Sequence, residues 1–149
     1  MKTKIIALAS DHGGFKLKEN LIDFLKLDNY KTIDLGTHSS LPVDYPDYGT
    51  LMAKTLNQKQ ASLGILICGS GIGMSIAANR FEGIRAALVH DALGARLSRE
   101  HNNANVLCLG ERVLGIATVK ECLNIFLKTK FQGGRHRARI NKLYTGIRP

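Results

Sequence analysis

The chain has 149 residues, 44% apolar and 22% charged, enough for a self-supporting core and too mixed for a disordered or fibrous protein. Its net charge of +9 is uneven, because seven of the 21 basic residues follow Glu121, the last acidic one, leaving 14 basic against 12 acidic residues before the tail. Cysteines at 68, 108 and 122 without a CxxC pair exclude a disulfide framework or zinc ribbon. The run Ile5–Ala9 is too short for a signal-peptide core and nothing approaches a membrane span, so a reduced, cytoplasmic protein is expected.

Lys4–Ala9 reads as a strand and Phe15–Leu27 as a helix with Leu17, Leu21, Phe24 and Leu25 on one face. Thr32–Leu35 is a second strand ending at Gly36, and His38–Tyr45, followed by Pro46, is a loop. Tyr48, Leu51, Met52, Thr55 and Leu56 recur at helical spacing. Leu63–Ile67 is almost continuously apolar, as a strand covered on both faces must be, and a helix follows it. Then come strand Ile84–Val89, helix Asp91–Arg99, strand Val106–Leu109, and a long helix marked by Ile116, Val119, Leu123, Phe126 and Leu127. A short helix from about Arg135 to Leu143 ends the pattern, tied loosely to the body through Gly133-Gly134.

Five strands alternating with helices predict a three-layer αβα sandwich around a parallel, Rossmann-like sheet, in a single domain over residues 1–149 with a basic helical tail from about 131 to 149. In such sheets ligands bind beyond the carboxyl ends of the strands. The polar residues expected there are Asp11 and His12, Cys68 to Gly73, and His90 with Asp91; His101 and Asn102, past the fourth helix, are expected to reach the same rim.

The segment Gly64-Ile-Leu-Ile-Cys68-Gly69-Ser70-Gly71-Ile72-Gly73 delivers a thiol into a glycine turn that opens a helix. Unsatisfied N–H groups at a helix start, reinforced by the helix dipole, attract anions and favour a thiolate, so one segment offers a base and an anion hole. The plainer alternative is a tight β-to-α turn with Cys68 as a small buried apolar residue. Asp11-His12-Gly13-Gly14 lets a ligand approach the backbone closely, or is a helix cap beside an incidental histidine. His101 at a helix end suits a dipole partner as well as a proton shuttle. His38, His90 and His136 read as solvated, with no metal-ligand spacing. A dinucleotide fingerprint on the first βα turn and a G-x-x-x-x-G-K-[ST] phosphate loop are both missing. The basic tail suits a surface helix, a nucleic-acid arm or a phosphate clamp, and Arg135 and Arg139, four apart, share a helix face.

The motifs Asp11-His12-Gly13-Gly14, Asp44-Tyr45-Pro46, Cys68-Gly69-Ser70-Gly71-Ile72-Gly73, Ala77-Ala78-Asn79-Arg80, Ser98-Arg99-Glu100-His101-Asn102, Asn105-Val106-Leu107 and Gly133-Gly134-Arg135-His136 together resemble ribose-5-phosphate isomerase type B, over about residues 4 to 143. That family also contains galactose- and allose-6-phosphate isomerases. The resemblance implies Cys68 as the base between C1 and C2, amides of Gly69, Ser70, Gly71, Ile72 and Gly73 facing the enediolate, and His101 opening the sugar ring. It further implies Asp11 on sugar hydroxyls, Tyr45 lining the pocket, and His12, Arg135 and Arg139 on the phosphate, with Asn102 and Arg112 completing the site. No metal or organic cofactor, no nucleic acid and no membrane is implied. The partner is a second copy, in a homodimer or dimer of dimers whose sites are shared, with His101, Asn102 and Arg112 serving the neighbouring Cys68. Family members lacking the cysteine carry glutamate where this chain has Met74, which cannot act as a base. The alternatives are isomerisation of a six-carbon phosphosugar such as allose 6-phosphate, or a non-catalytic sugar-phosphate or RNA-binding module.

Overall fold

A computed structural model describes residues 4–144; the end of the basic tail, Arg148 included, lies outside the described residues. Strands β1 (Ile5–Ser10), β2 (Lys31–Asp34), β3 (Leu63–Cys68), β4 (Ala86–Leu88) and β5 (Val106–Gly110) form one parallel sheet in the order β2-β1-β3-β5-β4. Helices α1 (Phe15–Leu27), α4 (Ala92–Glu100) and α5 (Ile116–Lys128) pack on one face, and α2 (Tyr45–Asn57) and α3 (Ile72–Asn79) on the other. The expected αβα sandwich is the observed one.

The alternation of side chains along β3 assigns the two cores. Ile65 and Ile67 join Leu21, Leu25, Leu123 and Phe126, whereas Leu66 and Cys68 join Met52, Met74 and Ala78. All six β3 residues are buried, which is why the segment reads as an unbroken apolar run. Gly14 abuts this strand, and a Cβ there would sit 2.6–2.7 Å from Ile67, including its backbone carbonyl.

Three boundaries differ from expectation. Helix α2 begins at Tyr45, not near Tyr48, because Pro46 sits in the first turn, where its missing N–H has no intrahelical acceptor to lose. Strand β4 has three half-buried residues instead of six, as suits an edge strand paired only to β5. The C-terminal helix α6 (Arg135–Lys142) is docked, not loose: His136 and Ile140 are buried, the Gln132 N–H donates to the Glu100 carbonyl, and Arg85 bonds the Tyr144 hydroxyl. Among the described residues no helix is long and apolar enough to cross a membrane.

The topology positions everything that follows. From β1 the chain moves outward to β2, then returns past β1 to β3, so the β1 and β3 exits flank the switch point, where open α/β sheets bind ligands. Asp11 and Cys68 stand there. Helix α4 starts beyond β4 and runs back along the sheet for nine residues, roughly 13 Å. His101 and Asn102 therefore lie near the start of β5, at the opposite end of the sheet.

The Gly14 contact makes a test of this packing. Gly14→Ala is expected to cost roughly 2–3 kcal/mol in urea unfolding, because the added methyl meets backbone that cannot yield. Gly115→Ala, with nothing within 4 Å, is expected to cost less than about 1 kcal/mol.

Candidate active site

At the β3-to-α3 turn the Gly71 N–H donates to Cys68 Sγ at 3.0 Å. Gly71 is left-handed, with φ +79°, and caps α3; a Cβ there would meet the Leu109 backbone within about 3 Å, so glycine is required twice over. The Ser70 hydroxyl accepts from the Ile72 N–H at 3.2 Å. Cys68 is 5% exposed, and its sulfur lies against the starting turn of α3. Cys108, two residues down the neighbouring strand, is wholly buried, and that burial pushes its thiol pKa well up, helped by Cys68. Burial likewise raises Cys122, with Asp91 and Glu121 adding to the shift. Those two are core residues; Cys68 alone of the three sits at a strand exit.

Four more expected residues surround this turn. Asp11, nearly buried, accepts the Gly13 N–H at 2.8 Å, and Gly13 lies against the Gly69 nitrogen. Nδ1 of exposed His12 lies 3.2 Å from both the nitrogen and the carbonyl oxygen of Val43, so either tautomer ties it to the loop after β2. Tyr45 packs its ring on Gly73. The Arg112 N–H donates to the Gly69 carbonyl, and its guanidinium lies over Gly69. Arg112 thus stands with this chain's own Cys68, a correction to its expected place beside a neighbouring copy's.

The second group lies elsewhere. His101, Asn102, His136, Arg139, Ile140 and Leu143 line a cavity of about 290 Å³ at the α4–α6 end, with Arg135 one turn before Arg139. The expectation that His101 and Asn102 share Cys68's rim within one chain is overturned, because α4 carries them away from it. For the same reason His12 is parted from Arg135 and Arg139. Asp91 caps α4 through the Gly94 N–H, a structural role.

Some residues were missed in the sequence. His136, read as solvated, is 7% exposed, and its ring stacks on His101 with centroids 4.3 Å apart and planes 13° from parallel. Burial, then His101, Arg135 and Arg139, push its pKa below the ordinary histidine value. Lys18 is fully buried and donates to Asp34 at 2.7 Å and Glu19 at 2.8 Å; Asp34 also accepts the Gly36 N–H and so anchors the loop that reaches His12. A lysine four residues before buried Ile22 on the apolar face was the available signal. Glu111, beyond β5, accepts the Leu17 N–H at 3.0 Å and pins α1 to the rim. Among the described residues no cluster of three or more His, Cys, Asp or Glu is placed to hold a metal.

With this geometry in view, residues 6–143 match the family model described as Ribose/Galactose Isomerase. The chain belongs to the ribose/galactose isomerase family. It is 42% identical to ribose-5-phosphate isomerase B of Escherichia coli over 140 residues, covering 94% of each chain. It superposes on the Thermotoga maritima ribose 5-phosphate isomerase at TM-score 0.94 and 46% identity, covering 96% of this chain and 99% of that one. The Mycoplasma genitalium ribose-5-phosphate isomerase B, solved with bound ribulose 5-phosphate, matches at TM-score 0.89 and 42% identity over 95% and 94% of the two chains.

The His136 shift has a consequence for stability. Above about pH 6.5 this imidazole is neutral whether folded or not; below it the unfolded chain takes up the proton first, so the fold loses stability until the lower folded value is passed. Urea unfolding between about pH 7.5 and 5 is expected to show stability falling with pH, and His136→Phe to flatten part of that slope. An unchanged slope in the variant contradicts the assignment.

Proposed function

We propose that the whole chain works as one sugar-phosphate isomerase domain interconverting ribose 5-phosphate and ribulose 5-phosphate. The observation that carries this reading is the Cys68 sulfur held by the Gly71 N–H at an amide-rich helix start. The aligned relatives named as ribose-5-phosphate isomerases support it.

The chemistry follows from those groups. Cys68 as thiolate removes the C2 proton, the C1 carbonyl oxygen takes up the negative charge, and the amides of Gly69 to Gly73 receive it; one such donor is worth roughly 3 kcal/mol in the transition state. The proton then returns from sulfur to C1, while the hydroxyl proton passes from O2 to O1. The cycle closes on the chain's own groups with no net gain or loss of electrons. Asp11 orients sugar hydroxyls and Tyr45 bounds the pocket. His12 and Arg112 face the phosphate from the Cys68 side, Arg135 and Arg139 from the other, with Asn102 beside His101. His101 opens the furanose. Phosphate binding, remote from the reacting carbons, fixes their geometry.

Two halves at opposite ends of one sheet need a second copy, and α3 offers the means. Ile72 and Ile76 on its outer face are 51% and 58% exposed. The far end of α3, at Asn79 and Arg80, borders a cavity of about 750 Å³ that Asn102 and Leu143 also line. A two-fold pairing of α3 against α3, antiparallel, lays the Cys68 end of one helix over the Asn102 end of the other. Burying two isoleucines from each copy favours that pairing.

Cys68→Ala is expected to lower ribose 5-phosphate turnover by roughly a thousandfold, and a metal chelator to leave the intact protein unaffected. Full activity in the variant removes sulfur from the proton transfer. Cys68→Ala and His101→Asn chains, each inactive alone, are expected on co-refolding to regain roughly a quarter of normal activity, since half the random dimers hold one intact site. No recovery contradicts the shared site.

A further inference from the structure

His136 is buried, whereas His12 and His90 are exposed, His38 is 73% exposed at its side chain, and His101 is half-buried. Its place is set by the backbone: Gly133 and Gly134, at φ +69° and +53°, reverse the chain beneath the end of α4, and α6 then docks through His136 and Ile140, four residues apart on one face. The ring that His136 meets is His101, parallel and at stacking distance. His101 itself ends α4, its backbone N–H bonded to the Leu97 carbonyl, so its side chain projects from a helix terminus into the cavity lined by Asn102 and Arg139. The stack is the contact that holds its ring plane.

Opening a furanose breaks the C1–O4 bond; O4 gains a proton and the C1 hydroxyl loses one as C1 becomes an aldehyde. A single imidazole can give the first and recover the second, provided its ring is held towards both oxygens. We propose that His136 is a positioning residue for ring opening, its imidazole clamping the plane of His101, with no part in the enediolate step at Cys68. This rests on the reading of His101 as the ring-opening group. Two adjacent imidazolium rings repel, and burial, with His101, Arg135 and Arg139 close by, holds the pKa of His136 below the ordinary histidine value.

The substrate chemistry separates this role from a structural one. Ribose 5-phosphate is a furanose and must be opened; ribulose 5-phosphate cannot close to a furanose, because its O5 carries the phosphate. Deuterium exchange from solvent into C1 of ribulose 5-phosphate therefore reads the enediolate step without ring opening. Two variants of the full chain are compared: His136→Leu, which fills the space without a flat ring, and His136→Phe, which keeps the flat ring without titrating. His136→Leu is expected to lower kcat for ribose 5-phosphate by roughly 10- to 100-fold, a loss of alignment, while C1 exchange stays near normal; His136→Phe is expected to recover most of the turnover. Unchanged turnover in His136→Leu, or equal falls in both assays, overturns the proposal. Should His136→Leu fail to fold, His136→Phe decides alone: a loss confined to turnover overturns the ring-plane role, and near-normal values in both assays support it. An intact protein inert in both assays overturns the isomerase reading, and this inference with it.

Discussion

One hydrogen bond organises the Cys68 half of the site: the Gly71 N–H to the Cys68 sulfur across the turn from β3 into α3. It exists because glycine at 71 adopts a left-handed conformation against the Leu109 backbone, which β5 holds rigidly beside β3. That arrangement points the first amides of α3 towards the strand exit, where they meet a side chain able to carry negative charge. The proposed base and anion hole thus come from six consecutive residues, and the rest of the rim is built onto them. Gly13 touches Gly69, Arg112 covers it, and Tyr45 sits on Gly73.

The second constraint is the length of a helix. A nine-residue α4 returns the chain to the far end of the sheet, so the imidazole at its terminus is carried away from the thiol by the same right-handed crossover that makes the sheet parallel. No side-chain rearrangement closes that gap. Helix α3 spans a similar distance with an apolar outer face, and the two-fold pairing proposed through it would join the ends that one chain keeps apart. Oligomerisation on this account completes a pocket as well as covering apolar surface.

Much of this is legible in the sequence, and the failures have physical causes. The apolar run of β3 and the glycine turn after it place Cys68 correctly because both are local patterns. Asp11 and His12 follow from the rule that ligands bind a parallel sheet beyond the carboxyl ends of its strands. Helix α2 is misjudged at its start because Pro46 resembles a loop residue until its first-turn position is known. His101 is assigned to the wrong rim although the alternation of strands and helices decides it, since a helix between two parallel strands ends where the next strand begins. His136, between arginines in a basic tail, resembles a solvated residue; its burial comes from a glycine-driven reversal under α4 that no local pattern announces. Lys18 stands on the apolar face of α1, where a charge is unexpected, and that mismatch marks the buried pair with Asp34.

The most direct measurement is a crystal structure of the assembled protein with bound ribose 5-phosphate or ribulose 5-phosphate. The account predicts the C1–C2 bond within roughly 3.5 Å of Cys68 Sγ, the distance of a near-attack geometry. It also predicts the adjoining oxygen on the amides of residues 69–73, and the phosphate between His12 of one copy and Arg135 and Arg139 of another. A sugar whose reacting carbons lie away from the sulfur, or a phosphate held wholly by one chain, would contradict it.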